Sequence, residues 1–446
     1  MANPRHIAVL GSGYVGLTVA AGLAFMRHEV VCADIAESKV SELSSGVVSI
    51  VEDGLTELIR EMAASGRLHF TCSNVEAVEN AEFVFLCLPT PRARDGSPDL
   101  SATVAVAQEI APHLASHSVV VNKSTVPLGT AHRVRDIVNR PDVEVVSNPE
   151  FLSEGSAVLD FLQPDRIVIG SDSRDTGYRV AELYGDPDEH HCIVTDTLSA
   201  ELMKYASNAY LATRVTFINT MAELCEAVGA DIRAVASGMG ADQRIGSAFL
   251  DPGPGWGGSC FPKDTEALIR IGESAGCDVS LVETVVHANA HHTERIVEKV
   301  NDAVGGNLTH KVVGVWGLAF KAGTNDLRSS PALSILTSLQ QRGAQIRAYD
   351  PTADGVLLGI DVVETMEEAC AGADVLLVTT EWPEFSRADL SSVAKLMARR
   401  SIVDARNIIN VEGAQRAGFD YVGVGIDARS PGAVVDSRSD SSPGYL

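Results

Sequence analysis

The sequence predicts an α/β protein in which two doubly wound parallel-sheet domains are joined by a central helical region. Short apolar runs without polar alternation recur in both halves of the chain, which is typical of parallel strands covered on both faces. Helical segments separate these runs, as βαβ connections require. Between the two halves, residues 199–228 keep a helical pattern without interruption.

The first half, residues 1–198, contains six predicted strands. The apolar runs are HIAVL, EVVCADI, AEFVFLCLP, SVVVNKS, VEVVSNP and DRIVIG. A glycine-rich turn and a helix of small residues, LTVAAGLAFM, separate the first two runs. This half is therefore predicted to form the first sheet domain.

The central region, residues 199–305, begins with the helix 199–228, for which Thr197 and Ser199 are the candidate N-caps. A glycine- and proline-rich loop follows, and a second helical stretch runs from Asp264 to about Val304. These helices are expected to form a homodimer interface, because their apolar faces are larger than the area that packing against the two sheet domains would bury.

Residues 306–428 restart the strand and helix pattern and are predicted to form the second sheet domain. Its strands are HKVVGVW, QIRAYDP, ADVLLVTT and RSIVDAR. The serine-, glycine- and proline-rich tail, residues 429–446, is predicted to be disordered.

Composition excludes several classes of protein. The formal net charge of −24 makes nucleic acid an unsuitable partner, because phosphate binding needs a basic surface. No apolar run approaches the roughly 20 residues of a membrane span, and the N-terminus enters a strand without a signal peptide. Eight scattered cysteines form neither a CxxC pair nor a zinc-ligand cluster, so we expect a reducing cytoplasm and no metal.

The first turn has the GxGxxG spacing of a dinucleotide-binding site. Gly11 permits the tight turn, Gly13 lets the backbone approach a pyrophosphate, and Gly16 allows close packing of helix on strand. Asp34 closes the next strand and favours NAD over NADP, although Lys39 offsets some of its charge. The first domain is therefore predicted to be a Rossmann-like NAD-binding domain. The second domain has similar strands with differently spaced glycines, so we expect a Rossmann-like fold that holds another ligand.

Residues 253–264, GPGWGGSCFPKD, hold Cys260 among four glycines and two prolines. Lys263 and Asp264 follow within one helical turn. A thiol beside glycine amides and ionisable groups is suited to thiolate chemistry, whereas the alternative is a small buried thiol in a turn.

Several segments together resemble the UDP-glucose 6-dehydrogenases, a branch of the UDP-glucose/GDP-mannose dehydrogenase family. They occur in family order from residue 7 to about residue 350: GSGYVGL, CLPTP, KSTVPLGT, NPEFLSEGSA, the helix with Lys204 and Asn208, GGSCFPKD and FKAGTNDLRSSP. The resemblance implies NAD-dependent, four-electron oxidation of UDP-glucose to UDP-glucuronate through a thiohemiacetal and a thioester on one cysteine. It also implies a homodimer in which Arg244 reaches the neighbouring subunit's site.

The resemblance also implies roles for individual residues. Cys260 is the expected nucleophile, and Lys204 with Asn208 would stabilise an oxyanion. The expected catalytic residues are Cys260, Lys204, Asn208, Asp264, Glu150 and Thr125. The expected NAD-binding residues are Gly11, Gly13, Val15, Gly16, Asp34, Lys39, Thr90, Thr125, Glu154, Lys263 and Arg328. The expected substrate-binding residues are Glu150, Phe151, Leu152, Glu154, Lys204, Asn208, Arg244, Phe249, Leu250, Gly253, Gly257 and Lys321.

Structural alternatives exist for several of these residues. Lys204 and Asn208 would then be solvated, Asp264 would cap the following helix, and Glu150 with Glu154 would cap another. Trp256 and Asn325 depart from the family pattern, where a smaller aromatic residue and an aspartate are more usual. The alternative functions are the same chemistry on GDP-mannose, a UDP-N-acetylhexosamine or a specialised sugar, a single-step dehydrogenase without a thiol, and a non-catalytic NAD-binding protein.

Overall fold

The computed structural model describes residues 4–93, 98–186, 191–353, 355–357 and 359–426. The predicted disordered tail, residues 429–446, lies outside the described residues. The chain divides into two compact units. The first comprises Met1–Ala209, Lys263–Val279 and Gly323–Asn325, and the second comprises Tyr210–Pro262, Ser280–Ala322 and Asp326–Leu446.

The first unit is built on an eight-stranded sheet with the order β3-β2-β1-β4-β5-β6-β7-β8. All neighbouring strands are parallel except β6 and β7, which pair antiparallel. The strands are β1 His6–Leu10, β2 Glu29–Ala33, β3 Leu68–Thr71, β4 Phe83–Leu86, β5 Val119–Asn122, β6 Glu144–Ser147, β7 Ile167–Gly170 and β8 Cys192–Thr195.

Helices cover both faces of this sheet, which explains the uninterrupted apolar runs. Ile7 and Val9 of β1 enter one buried cluster, whereas Ala8 and Leu10 enter another. The helices are α1 Tyr14–Phe25, α2 Glu37–Ser44, α3 Leu55–Ala64, α4 Asn74–Val78, α5 Ser101–Ile110, α6 Thr130–Val138, α7 Ala157–Leu162 and α8 Arg174–Ala181.

Helix α9, Thr197–Val228, is the predicted long helix and continues from the first unit into the second. Neither predicted N-cap is correct. The helix already begins at Thr197, and the carboxylate of Asp196 accepts a hydrogen bond from the amide of Ser199 at 2.8 Å. An aspartate before the first helical residue satisfies an amide that the helix itself leaves unpaired.

The second predicted helical stretch is two helices. Helix α11, Phe261–Ala275, ends at Gly276, which adopts a left-handed φ of +67°, and α12, Ser280–Ala303, begins four residues later. Glycine reaches this backbone conformation without steric cost, so it ends α11.

The second unit contains a seven-stranded sheet with the order β11-β12-β10-β9-β13-β14-β15, parallel except between β11 and β12. The strands are β9 Val312–Trp316, β10 Gln345–Tyr349, β11 Val356–Leu357, β12 Ile360–Val362, β13 Val375–Val378, β14 Ser401–Asp404 and β15 Asp420–Val422. The remaining helices are α10 Ile232–Gly240, α13 Pro331–Gln341, α14 Met366–Cys370, α15 Pro383–Ser386, α16 Leu390–Leu396 and α17 Val411–Arg416. The predicted fold class, with two Rossmann-like sheets and a helical region between them in sequence, is confirmed.

Candidate active site

The turn between β1 and α1 has the steric properties of a dinucleotide-binding loop. Gly11 has a φ of +100°, and a Cβ on it would lie 2.4 Å from the carbonyl oxygen of Cys87. A Cβ on Gly16 would lie 1.8 Å from the carbonyl oxygen of Gly11. Gly13 directly precedes α1 and has open space where a Cβ would stand. The N-terminus of α1 is therefore accessible to a pyrophosphate, while Val15 packs against the core.

Asp34 follows β2 and is held as a carboxylate. One of its oxygens accepts hydrogen bonds from the amide and hydroxyl of Ser12, at 3.1 and 2.5 Å, and the other accepts from the amide of Ala36. Lys39 Nζ lies 3.3 Å away. Burial opposes ionisation, but these hydrogen bonds and the Lys39 charge hold the pKa of Asp34 below its usual value. This carboxylate fits the ribose hydroxyls of NAD and would repel a 2′-phosphate.

Lys204 and Glu150 form a buried ion pair. Lys204 Nζ lies 2.9 Å from Glu150 Oε1, and the two side chains are only 4% and 7% exposed. The second oxygen of Glu150 accepts a hydrogen bond from the amide of Leu152 at 2.7 Å. Burial alone would raise the pKa of Glu150, but the neighbouring ammonium and these hydrogen bonds lower it. The pair therefore places a fixed cation on α9 inside the first unit.

Asn208 lies one turn further along α9 and donates a hydrogen bond to Asp264 Oδ2 at 2.6 Å. Lys263 Nζ lies 2.5 Å from the other oxygen of Asp264, whose side chain is 1% exposed. Because α11 begins at Phe261, Asp264 lies within its first turn and does not cap it. The capping alternative is therefore wrong, and so is the solvated alternative for Lys204 and Asn208, since both are buried.

Other predicted residues of the first unit lie in the loops after β4, β5 and β6. Thr125 is buried, and its carbonyl oxygen accepts a hydrogen bond from the Thr90 hydroxyl at 3.0 Å. Glu154 accepts one from the Thr324 hydroxyl, also at 3.0 Å. Lys204 Nζ lies 5.3 Å from the centre of the Phe151 ring. These loops lie at the carboxyl ends of parallel strands, where ligands bind in doubly wound sheets.

The proposed capping pair of Glu150 and Glu154 is also wrong. Helix α7 begins at Ala157, and its amide donates to the carboxylate of Glu52 at 2.7 Å. Glu52 also accepts from the amide of Gly155 at 2.5 Å. A glutamate 105 positions away in sequence therefore fulfils the capping role, and no local pattern marks it.

Sequence reasoning also missed Glu201 and Lys123. Glu201 is buried, and it accepts hydrogen bonds from the amides of Gly129 and Ala131 at the start of α6. Its spacing of three residues from Lys204 was a usable signal, because such residues share one helical face. Lys123 lies in KSTVPLGT, and its Nζ donates to Asn148 Oδ1 at 3.1 Å. Burial lowers the pKa of Lys123 to about 8.

In the second unit, Cys260 occupies a turn directly before α11. Its side chain is partly buried, and its Sγ lies 3.5 Å from the hydroxyl oxygen of Ser259. A Cβ on Gly257 would lie 2.1 Å from the carbonyl oxygen of Ser329, and one on Gly258 would lie 2.9 Å from the Phe320 ring. The glycines are therefore required by packing. A thiolate at a helix N-terminus is stabilised by the partial positive charge there.

The segment before Cys260 combines exposed and buried groups. Phe249 is partly exposed with a φ of +60°, whereas Leu250 is buried. The indole of Trp256 is buried with Ala212 and donates a hydrogen bond to the Thr216 hydroxyl at 2.8 Å. The larger ring of tryptophan at this position therefore packs against α9.

The three remaining basic residues of the predicted site are Arg328, Lys321 and Arg244. Arg328 pairs with Asp326 at 2.7 Å, and Lys321 Nζ lies 5.7 Å from the Phe320 ring centre. Arg244 pairs with its neighbour Asp242, yet its side chain is 89% exposed. Asn325, in the first unit, is exposed and donates to the carbonyl oxygen of Ser49 at 3.5 Å.

The first unit thus contains the turn at Gly11, the Lys204–Glu150 pair and the Asn208–Asp264 pair, and the second unit contains Cys260 and its loop. Within the described ranges, no cluster of histidine, cysteine, aspartate and glutamate has the arrangement of a metal site. No helix in the described part of the chain has the length and apolar character of a membrane span. The fold and the turn are those of an NAD-dependent oxidoreductase.

Three family models cover most of the chain. They are the NAD-binding domain of the UDP-glucose/GDP-mannose dehydrogenase family at residues 5–187, its central domain at 198–291 and its UDP-binding domain at 314–411. The chain belongs to the UDP-glucose/GDP-mannose dehydrogenase family, as its motifs predicted.

Individual relatives agree with this assignment, and together with the NAD-binding family model they confirm the predicted enzyme class and NAD as the cofactor. The chain is 43% identical to the UDP-glucose 6-dehydrogenase TuaD of Bacillus subtilis, over 94% of this chain and 93% of the relative. It is 44% identical to the UDP-glucose 6-dehydrogenase of Rhizobium meliloti, over 94% and 99%. A solved structure of a UDP-glucose dehydrogenase from Pyrobaculum islandicum superposes with a TM-score of 0.87 at 35% identity, covering 95% of this chain and 98% of that one.

Proposed function

We propose that the protein oxidises UDP-glucose to UDP-glucuronate in two NAD-dependent steps on one carbon. The observation that carries this proposal is Cys260, placed in its glycine turn directly before α11 in a chain of this family. The curated relatives at 43% and 44% identity act on UDP-glucose by name, which supports the same substrate here. NAD binding is assigned to residues 1–198 and nucleotide-sugar binding to residues 306–428 together with the central region.

The residues divide the chemistry as follows. NAD would be held by the turn from Gly11 to Gly16 and by Asp34, and would supply the hydride acceptor for both oxidations, one molecule for each. The thiolate of Cys260 adds to the aldehyde formed by the first oxidation and gives a thiohemiacetal. Loss of a hydride and a proton from the thiohemiacetal gives a thioester, which water hydrolyses to release the carboxylate and the thiol. Lys204 and Asn208 supply a positive charge and an N–H donor for the oxyanion. Asp264 and Glu150 contact these two groups, and we expect them to exchange protons with substrate or water.

The test is the amount of NADH formed per sugar consumed, with UDP-glucose, GDP-mannose and UDP-N-acetylhexosamines as substrates. Two NADH per UDP-glucose supports the proposal, whereas one indicates a single-step dehydrogenase and none with any sugar indicates a non-catalytic protein. Cys260→Ala should abolish acid formation and retain NAD binding, with Cys277→Ala, an exposed cysteine, as the matched control. Normal acid formation by Cys260→Ala would disprove the thioester route.

We also propose that the protein is a homodimer joined through α9. Tyr210, Phe217 and Leu224 are exposed apolar residues seven positions apart on this helix, and Val228 continues the stripe. A seven-residue apolar repeat is typical of helices that pack on another helix. The exposed Arg244 supports its predicted reach into the partner's site. Light scattering after gel filtration tests this proposal, because Phe217→Glu should give monomers, whereas a dimeric variant contradicts the interface.

We also propose that the protein is located in the cytoplasm. None of the eight cysteines, all of which lie in described segments, forms a disulfide, and Cys72 and Cys277 are exposed. Exposed thiols persist in a reducing compartment. Fractionation of the cells that make the protein tests this location, and recovery outside the cytoplasm would contradict it.

A further inference from the structure

The loop before Cys260 is fixed to two helices of the second unit by side-chain hydrogen bonds. The amide of Gly253 donates to Asn219 Oδ1 of α9 at 2.9 Å. Asn289 of α12 bonds both the amide and the carbonyl oxygen of Trp256, at 2.9 and 3.0 Å. The carbonyl oxygen of Gly253 is bonded by Nε2 of His292 on α12, at 2.8 Å. This loop, Gly253–Trp256, therefore has its position set by α9 and α12.

His292 differs from the other anchors because both of its ring nitrogens face acceptors. Nε2 lies against the Gly253 carbonyl oxygen, and Nδ1 lies 2.9 Å from Glu223 Oε1 of α9. The His292 side chain is 4% exposed. The ring therefore links the loop on one side to the Glu223 side chain of α9 on the other. Leaving such a buried hydrogen bond unmade is costly.

Glu223 is the charged partner of the His292 ring. The hydrogen bond from His292 is the largest influence on Glu223 and lowers its pKa, with further lowering from the charge of Arg295. Helix α9 therefore presents a carboxylate to Nδ1 of His292, and the loop presents the carbonyl oxygen of Gly253 to Nε2.

We propose that His292 is a positioning residue that holds the loop Gly253–Trp256 in its substrate-binding geometry. The inference rests on the proposed function, which assigns nucleotide-sugar binding partly to the central region that contains this loop. Without the ring, the carbonyl oxygen of Gly253 loses its bond to α12, and the loop is held less firmly. The KM for UDP-glucose should therefore rise when the ring is removed, whereas the KM for NAD should not change.

The experiment compares wild type with His292→Gln and His292→Ala at one pH. The glutamine amide can still donate to the Gly253 carbonyl oxygen, so His292→Gln should keep the KM for UDP-glucose within about twofold of wild type. His292→Ala should raise this KM about tenfold, as expected for loss of a buried hydrogen bond, with kcat changed less than twofold.

His291→Ala is the matched control, because this exposed neighbour on α12 should leave the KM for UDP-glucose unchanged. Hydrogen–deuterium exchange of residues 249–257, compared at one pH, gives a second readout that needs no substrate, and exchange should be faster in His292→Ala than in wild type or His292→Gln. A His292→Ala protein with wild-type KM and exchange, or a His292→Gln protein as impaired as His292→Ala, would overturn the inference. If wild type oxidises no nucleotide sugar but the exchange follows the expected pattern, the proposed function fails and the role of His292 in holding the loop stands.

Discussion

Replacing Glu150 by glutamine should destabilise the first unit strongly, because the change leaves Lys204 buried without its counter-ion. At the observed 2.9 Å, the Coulomb attraction of the pair is about 6 kcal/mol for an effective dielectric constant of about 20. Desolvation of the two ions offsets much of this attraction. Removing one partner of such a pair nevertheless costs about 3–5 kcal/mol, since the remaining charge stays buried.

Thermal unfolding followed by circular dichroism measures this cost. A loss of about 3–5 kcal/mol should lower the melting temperature of the first unit by roughly 10 °C. The double variant Glu150→Gln/Lys204→Met removes both charges and should recover most of the loss. Arg270→Gln is the control, because it breaks an exposed ion pair with Glu273 and should cost less than about 1 kcal/mol. A Glu150→Gln protein that melts within 2 °C of wild type, or a double variant no more stable than the single one, would refute this reasoning.

Four further variants address the turn, the buried lysine and the tryptophan. Gly16→Ala should lower both the melting temperature and the NAD affinity measured by calorimetry, because its Cβ would meet a carbonyl oxygen at 1.8 Å, whereas Gly13→Ala should lower only the affinity. For Lys123, the folded pKa of about 8 lies below the ordinary lysine value of about 10.4, so the unfolded chain binds more protons between these values and stability should rise by about 2 kcal/mol from pH 8 to pH 10. Lys123→Met should remove this rise in urea titrations at pH 8 and pH 10, and an unchanged pH dependence would contradict the assignment. Trp256→Phe should lower the urea stability by about 1–3 kcal/mol through its lost indole hydrogen bond and volume, and a fully stable variant would contradict the buried placement.

Features that depend on neighbouring residues could be predicted from the sequence. The apolar runs predicted the strands, because successive residues such as Ile7 and Ala8 point to opposite faces of the sheet and each face is covered by a buried core. The spacing of Gly11, Gly13 and Gly16 predicted the turn, and four-residue spacing placed Lys204 and Asn208 on one face of α9. In each case, the residues that allow the prediction lie within a few positions of one another in the sequence.

Features that depend on distant partners could not be predicted. Glu52 caps α7 from 105 positions away, and Glu201 binds the start of α6 from about 70 positions away. Any of the many acidic residues in the chain could have filled these roles. The N-cap prediction for α9 was wrong for a different reason. Asp196, Thr197 and Ser199 are all suitable capping residues, so a shift of one position changes which of them is assigned as the cap.

The buried polar face of α9 is better explained by chemistry than by stability. Glu201, Lys204 and Asn208 are all buried, and each meets a partner from a different segment of the first unit. Replacing such a pair with well-packed apolar residues is often neutral or stabilising by about 1–4 kcal/mol, so stability alone gives no reason to keep it. A preorganised cation and N–H donor, however, stabilise a developing oxyanion without reorganisation during the reaction. The side chains of Glu150 and Asp264 hold Lys204 and Asn208 in position before any substrate binds. We therefore expect these two buried contacts, which cost the fold stability, to be retained because they serve catalysis.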